Sequence, residues 1–592
     1  KAITALPVAS TDQALQGRVP GLTVTNNGSP GSSPIVTIRG ISSISFASDP
    51  LYVVDGFPTA ISNIDSRDIQ SVDVLKDASS PAIYGPRATN GVVIITTKKG
   101  SAQDRLHVNF DAYFGVQSPT RKFDLLNTQQ YLQYERALNG ADAPLPPRLE
   151  SENFNQPVYE GASQTFAQTN TDWQDEYFKK NQPLQQYNVS LSGGNEISHF
   201  YTGAGYFDQE GIAQGLYYKR INYRINSEHK ISKLFSFGEN FYVSQSKQRF
   251  DVPAGNRTSI VNVIRMQPYL PVYNPNNLGG FMGPQNSFDA SDPINPVEAA
   301  LLNSDINNTT RILGTAYIGL TLTPWLKFKS TYGIDYSNSY IEGYTPIHND
   351  GGTSNAALAT IENERQIYTT HLFTQQLSFD KSFEKHNIGA TLVYESQAER
   401  YRNETASGNQ NTNLVKTLNG ATNVTANSLY ETNIIRSMLA RVTYEFDQKY
   451  LLAASIRRDG LSVFAPGNKY ENFPAVSAGW RIDQEQFMKD IHFISEFKLR
   501  GGYGITGING ILLGNYPYLQ PIQRNQSTYP FNGTVVNGNG SFYNGLSNPA
   551  LAWEKTKQTN IGLDLGFLDN RITLVAEYFK RKTDNLILTV PT

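Results

Sequence analysis

The sequence predicts a mainly β protein: a transmembrane antiparallel β-barrel with an N-terminal mixed α/β domain inside it. Three observations predict this. Residues 15–100 alternate short β-branched runs with Gly and Pro turn signals. From Arg105 onward, long runs alternate with period two, apolar and aromatic on one face, polar or glycine on the other. The connections between these runs broadly alternate short and long, as in outer-membrane barrels, where turns gather at one rim and loops at the other.

Residues 1–14 read as a lead-in, with Asp12 placed to N-cap a short turn at 13–16 that stops at Gly17. Within 15–100, Val36-Thr37-Ile38-Arg39, Leu51-Tyr52-Val53-Val54 and Val92-Val93-Ile94-Ile95-Thr96-Thr97 are strand-like. A helical piece over 78–84 is closed by Gly85. Gly40, Gly56, Gly85 and Gly91 stand where the chain turns tightly. Arg39, Asp55, Lys76, Asp77 and Arg87 are many charges for so small a core. In a free domain they would be solvated; inside a barrel they can face a polar lumen wall and pair with it.

This block resembles the plug domain of TonB-dependent outer-membrane transporters, in the SusC/RagA-like branch of Bacteroidota. The resemblance rests on LQGRVPGLTV, TIRG ending at Gly40, LYVVDG ending at Gly56, and VLKDASSPAIYGPRATNGVVIITTKKG. Much later, YENFPAVSAGW and FKLRGGYGITG carry it further, and it spans residues 14–586, most weakly in the long loops. It implies a plug over 15–100 and a barrel over 101–592. It also implies an outer-membrane location and import of a glycan or oligopeptide driven by an inner-membrane motor through TonB. A SusD-like surface lipoprotein would sit as a lid on the external loops. In this family the tip at 41–49 points toward the external cavity. Arg39, Asp55, Lys76, Asp77 and Arg87 match plug-motif positions, where they either lock plug to barrel or stabilise the plug alone.

Past residue 100, Leu326, Phe328, Tyr332, Ile334 and Tyr336 alternate with Lys327, Lys329, Thr331, Gly333 and Asp335. The same pattern recurs around Leu392, Val442 and Leu563. The apolar set is expected to face lipid, and Lys327, Lys329, Arg441 and Asp564 the lumen. Strands of about 12–17 residues exceed the ~9–11 that cross a bilayer. Tyr206, Trp325, Tyr394, Tyr450, Trp480 and Tyr578 are candidates for interfacial girdles. Long excursions are expected near 247–309, 341–364, 400–429 and 508–551, too polar to form a core of their own. Residues 126–138 form a helix, capped by Asn127 or Thr128 and stopped by Gly140. Roughly fifteen strands fall short of the ~22 of large plugged barrels, so further strands are expected beyond Thr592.

Composition narrows the function. A net charge of −2 lacks the basic footprint of a general nucleic-acid binder. Without Cys there is no disulfide or thiolate site. Mean hydropathy of −0.41 and no run of 18 apolar residues exclude membrane helices but not a barrel. Lys1-Ala2-Ile3 reads as the interior of a mature chain. Gly502 to Gly507 matches G-x-G-x-x-G, but no helix follows it, so it reads as a glycine-rich strand. The seven His residues are scattered. No enzyme chemistry, cofactor or metal is expected. A rival reading is a non-transporting SusC-like scaffold within a larger outer-membrane assembly, since the TonB-contacting segment would lie before Lys1.

Overall fold

The computed structural model describes residues 10–26, 28–40, 49–61, 64–76, 81–100, 105–140, 144–251, 258–508, 516–519, 522–531, 534–538, 540–543 and 547–588. The N-terminal domain carries β1 (Leu22–Thr25), β2 (Ile35–Ile38), β3 (Leu51–Val54), β4 (Phe57–Pro58), β5 (Ile69–Leu75) and β6 (Val92–Thr97). β1 and β2 form one ribbon; β4-β3-β6-β5 form a sheet in which β3 and β6 are parallel. Asp55 and Gly56, both at positive φ, make the two-residue turn between β3 and β4. The core packs Leu22, Val36, Ile38, Val54, Phe57, Val93 and Ile95.

Two local expectations are corrected here. The helical piece before Gly85 is a 3-10 turn, Pro81–Tyr84, and a second, Pro86–Asn90, follows. Gly85 at φ 80 and Pro86, which lacks an N–H, stop any continuous helix. Asp12 does not cap its turn; its carboxylate accepts from Ser10 Oγ at 2.6 Å.

The wall begins with β7 (His107–Gln117), β8 (Gln182–Gly194), β9 (Ser198–Glu210), β10 (Tyr217–Lys230), β11 (Phe235–Arg249), β12 (Ser304–Thr323) and β13 (Leu326–Thr345). After a small ribbon, β14 (His348–Asn349) and β15 (Asn355–Ala356), come β16 (Ala359–Phe383), β17 (His386–Gln410) and β18 (Thr422–Phe446). β19 (Tyr450–Leu461), β20 (Tyr470–Arg481) and β21 (Ile494–Ile508) follow. An external ribbon of β22 (Ile522–Phe531), β23 (Thr534–Gly538) and β24 (Gly540–Tyr543) precedes β25 (Glu554–Phe567) and β26 (Ile572–Asp584). The wall is one 15-stranded antiparallel sheet in chain order, with β7 and β26 at its edges. Turns such as 195–197, 324–325, 384–385 and 568–571 lie at one rim, and the long connections at the other.

The lumen and lipid faces follow the expected parity. A Cβ on Gly333 would meet Phe57 of the N-terminal domain, and Asp335 bonds Thr59, so odd residues of β13, Lys327 and Lys329 among them, face inward. On β10, Arg220, Asn222, Arg224 and Asn226 are buried, while Ile221 on the opposite face is 63 % exposed. Leu392 and Val442 also lie open on the outside, at 56 % and 51 %. Trp325 with Phe379, His386 with Phe446, and Tyr450 with Trp480 form aromatic pairs at the short-turn rim. Tyr206 and Tyr394 lie eight residues further along β9 and β17, a strand distance of roughly 26 Å. That spacing suits an apolar band about 25 Å tall between two girdles.

The strands are longer than expected: β16, β17 and β18 each run 25 residues. The excursions at 341–364 and 400–429 are therefore mostly strand. Their upper parts, such as RYRNETASGNQ at 400–410, are polar on both faces and carry no apolar alternation.

The external connections 118–181 and 250–303 form a compact layer, which corrects the expectation that the loop near 247–309 lacks a core. Its helices are α1 (Thr128–Asn139), α2 (Ser151–Phe154), α3 (Trp173–Tyr177), α4 (Ser259–Arg265), α5 (Asn286–Asp289) and α6 (Pro296–Leu302). Asn127 and Gln130 close a capping box on α1, and Gly140 ends it. Leu149, Phe154, Trp173, Tyr269, Phe281 and Val297 share one buried core. Trp173 Nε1 donates to Gln267 O at 2.9 Å, and Arg148 pairs with buried Asp289 at 2.9 Å, tying the two connections together.

An outward charge at mid-membrane depth tests the register. Leu392→Arg should lower stability in lipid vesicles by about 2–4 kcal/mol in denaturant titrations. Thr391→Arg, one residue away on the lumen face, should cost much less.

Candidate functional site

The site is the interface between the N-terminal domain and the wall. On the β8–β10 side it is charged and almost dry. Asp65, Asp68, Arg220 and Arg224 are each at most 1 % exposed. Arg220 lies 3.3 Å from Asp65, and Arg224 Nε lies 3.3 Å from Asp68 Oδ2 and its Nη1 3.8 Å from Asp55. Gln186 donates to both oxygens of Asp65 at 3.2 Å, and Tyr201 donates to Asp68 at 2.9 Å. Asn226 donates to Thr97 Oγ1 at 2.8 Å and to Lys98 O at 2.7 Å. Burial pushes the Asp68 carboxyl above its ordinary value, against the pull of the Arg224 guanidinium.

Asp55 also binds within its own domain, accepting from Thr97 N at 2.9 Å and Thr97 Oγ1 at 2.6 Å. It thus joins the end of the internal sheet to the wall. Gly56 completes its turn.

On the opposite side the contacts are sparser and wetter. Arg39 pairs with Glu577 at 2.5 Å, and Glu577 also pairs with Arg500, which reaches Asp564 at 3.1 Å. Arg39 donates to Lys76 O at 3.0 Å. The Lys76 ammonium turns back to Pro20 O at 2.7 Å, so this residue holds its own domain and meets the wall through its carbonyl, which accepts from Gln558. Arg581 donates to Arg39 O and Gly40 O. Arg87 pairs with Glu399, and both are about one-fifth exposed. Arg457 packs against Gly85 and donates to Ile83 O at 2.6 Å, while Glu395 and Asp459 hold it from the wall. Gly91 needs its missing side chain because a Cβ there would meet Ile38 and Leu75 O. Arg311 clamps Thr59 and Ala60 O from β12. Asp77 and 41–48 lie outside the described residues.

The structure therefore brings Arg39, Asp55 and Arg87 to the wall and leaves the Lys76 ammonium off it. Asp65, Asp68, Arg220 and Arg224 were missed from the sequence. Their signal was available: Arg220, Asn222, Arg224 and Asn226 line one face of a strand whose other face is Ile221, Tyr223 and Ile225. The G-x-G-x-x-G run lies on β21 and Gly507 O accepts from Thr89 at 2.7 Å, so it is strand backbone against the N-terminal domain. Among the described residues no group of His and acidic residues is placed to hold a metal ion.

A cavity of about 870 Å³ lies on the long-loop side of the N-terminal domain. Asp49, Tyr52, Arg87, Arg311, Tyr368 and Glu399 line it, mixing charges of both signs with aromatic faces. Above it, the external layer buries a second ionisable cluster. Glu298 on α6 is 2 % exposed and lies 3.6 Å from His348, whose Nδ1 donates to Pro346 O. Burial first, and the nearby Asp350 second, push the Glu298 carboxyl up to about 9.

Comparison with known proteins fits this geometry. Residues 1–92 match the TonB-dependent receptor plug domain, and residues 262–592 match the TonB-dependent receptor-like β-barrel. TonB-dependent receptor P3 of Formosa agariphila is 33 % identical over 100 % of this chain and 56 % of its own length. SusC of Bacteroides thetaiotaomicron is 28 % identical over 97 % of this chain and 58 % of its own length. The solved RagAB peptide transporter is 25 % identical with a TM-score of 0.86, over 100 % of this chain and 67 % of that one. The chain thus spans little more than half the length of these curated relatives.

Two outcomes follow from the buried groups. Arg224→Ala leaves Asp55 and Asp68 without their cation and should destabilise docking of the N-terminal domain by about 3–5 kcal/mol. Arg87→Ala removes a more exposed pair and should cost no more than about 1 kcal/mol; hydrogen exchange across β3, β5 and β6 reads both. For Glu298, the folded-state carboxyl sits above its ordinary 4.5. Its contribution is full below about pH 4.5 and is lost as pH rises toward 9. Exchange in α4 and α6 should rise across that window, and Glu298→Gln should flatten the rise.

Proposed function

Because the chain belongs to the TonB-dependent receptor family of outer-membrane proteins, in its SusC-like branch, we propose that it is the plugged barrel of a nutrient importer. The cargo is an oligopeptide or a glycan. The reading rests on one observation: a folded domain sits in the lumen, joined to the wall by ion pairs and hydrogen bonds rather than by a continuous apolar core. Polar contacts can be exchanged for water when the plug shifts, whereas an apolar interface would expose surface at about 25 cal/mol per Å². The cavity on the long-loop side supports the same reading, since its Tyr faces, Arg and carboxylates suit polar oligomers.

In this proposal Arg39, Asp55 and Arg87 hold the plug closed, and Lys76 with Gly40, Gly56, Gly85 and Gly91 shapes the plug itself. Import draws on TonB. A SusD-like lipoprotein closes the mouth from outside. The external layer offers such a partner exposed Phe123, Tyr134, Leu138, Tyr273 and Leu278, all apolar side chains uncovered at the outer rim. An interface there is expected to exceed the ~2,000 Å² of ordinary complexes.

The test is uptake by cells of the source bacterium with the gene deleted and restored. Two probes are given separately, a fluorescent tryptic casein digest and a fluorescent starch hydrolysate. The restored strain should accumulate one of them, and a protonophore should abolish the signal. Equal uptake by deleted and restored strains, with a general outer-membrane defect in the former, would favour the scaffold reading instead.

A further inference from the structure

The plug is attached asymmetrically, and a second cavity lies on its weakly attached side. This cavity, about 530 Å³, faces the short-turn rim along the inner surface of β16–β21 and β25. Small residues line it: Gly389, Thr443, Ala453, Ser477, Gly479 and Gly502. Asp380, Glu445, Lys498 and Arg500 add charges of both signs. On the β8–β10 side the plug instead reaches close to the short-turn rim, where a Cβ on Gly100 would collide with the backbone of Phe200.

One strand orders the parts by height. Along β17, counted from the short-turn rim, Asn387 and Gly389 line this cavity. Glu395 comes next and holds Arg457, which grips Ile83 O and packs on Gly85. Glu399 then pairs with Arg87 and lines the long-loop cavity. The rise from Gly389 to Glu399 is roughly 33 Å along the strand. β19 and β21 repeat the order, with Ala453 below Arg457 and Gly502 below Gly507, the acceptor of Thr89. Only the plug segment 81–90 and its contacts separate the two cavities on this side.

We propose that Pro81–Asn90 is the movable gate of the translocation path. The path runs down the β17–β21 wall, through the small-residue cavity, while the Asp65/Asp68–Arg220/Arg224 side stays docked. Moving 81–90 breaks two partly exposed ion-pair contacts and a few hydrogen bonds. Moving the other side would strip four buried charges of their partners, which is far costlier. The proposal rests on the importer reading and adds the route and the gate.

The chain has no Cys, so introduced thiols report alone. In intact cells carrying the full-length protein, Ser477→Cys is exposed to a membrane-impermeant maleimide added outside, and residue 477 is read by mass spectrometry. One variant adds Arg87→Cys with Glu399→Cys, bridged by a short bis-maleimide. A second adds Thr97→Cys with Asn226→Cys, whose side chains touch in the docked plug. Bridging 87 to 399 should cut labelling at 477 at least ten-fold, and bridging 97 to 226 should leave it unchanged. Equal suppression by both bridges would mean that the plug moves as a whole; no suppression by the first would place the path elsewhere. Either result overturns the gate. Cells that label as expected but take up neither fluorescent probe would sink the importer reading and leave the gate standing.

Discussion

Taking charge out of water governs this structure. A polar domain placed inside a barrel must either keep water around its carboxylates or supply them with cations from the wall. Here the wall supplies Arg220 and Arg224 from one strand, and Asp55, Asp65 and Asp68 meet them. An unpaired buried charge costs several kcal/mol, so the pairing specifies position strongly even where its net stabilisation is small. Much else follows from it. The plug's orientation is set by three carboxylates in fixed places, and β8–β10 must present a polar inner face. The opposite wall is left free to be small and hydrated.

Legibility tracked the range of the interactions. The parity of β13, the fifteen strands and α1 with its Asn127 cap were readable, because period two and cap chemistry are local. The strand ends were not. Above the membrane both faces of β17 and β18 meet water, so the apolar alternation that marks a strand disappears while the ladder continues. The external layer was missed for a related reason. Its core residues, such as Phe154, Trp173 and Phe281, sit in short helices and irregular chain and share no period.

The plug–wall pairs were the hardest to read. Asp68 and Arg224 are 156 positions apart, and nothing local links them. The motif charges drew attention first, yet Lys76 turns inward on its own domain, and Arg39 and Arg87 make the more exposed contacts. The most buried charges lie in less conspicuous surroundings. A better guide would have been the face of β10, where arginine and asparagine alternate with isoleucine and tyrosine.

The 25-residue strands have a geometric consequence for the cell surface. Each is roughly 80 Å long, while the apolar band occupies only about 25 Å of height. Even allowing for tilt, the upper half of the wall stands as a palisade clear of the lipid headgroups. Its mouth opens among the surface sugars rather than beneath them. A bulky polymer can therefore present one chain end to the opening without pressing its bulk against the membrane, and whatever caps that mouth is held by protein alone.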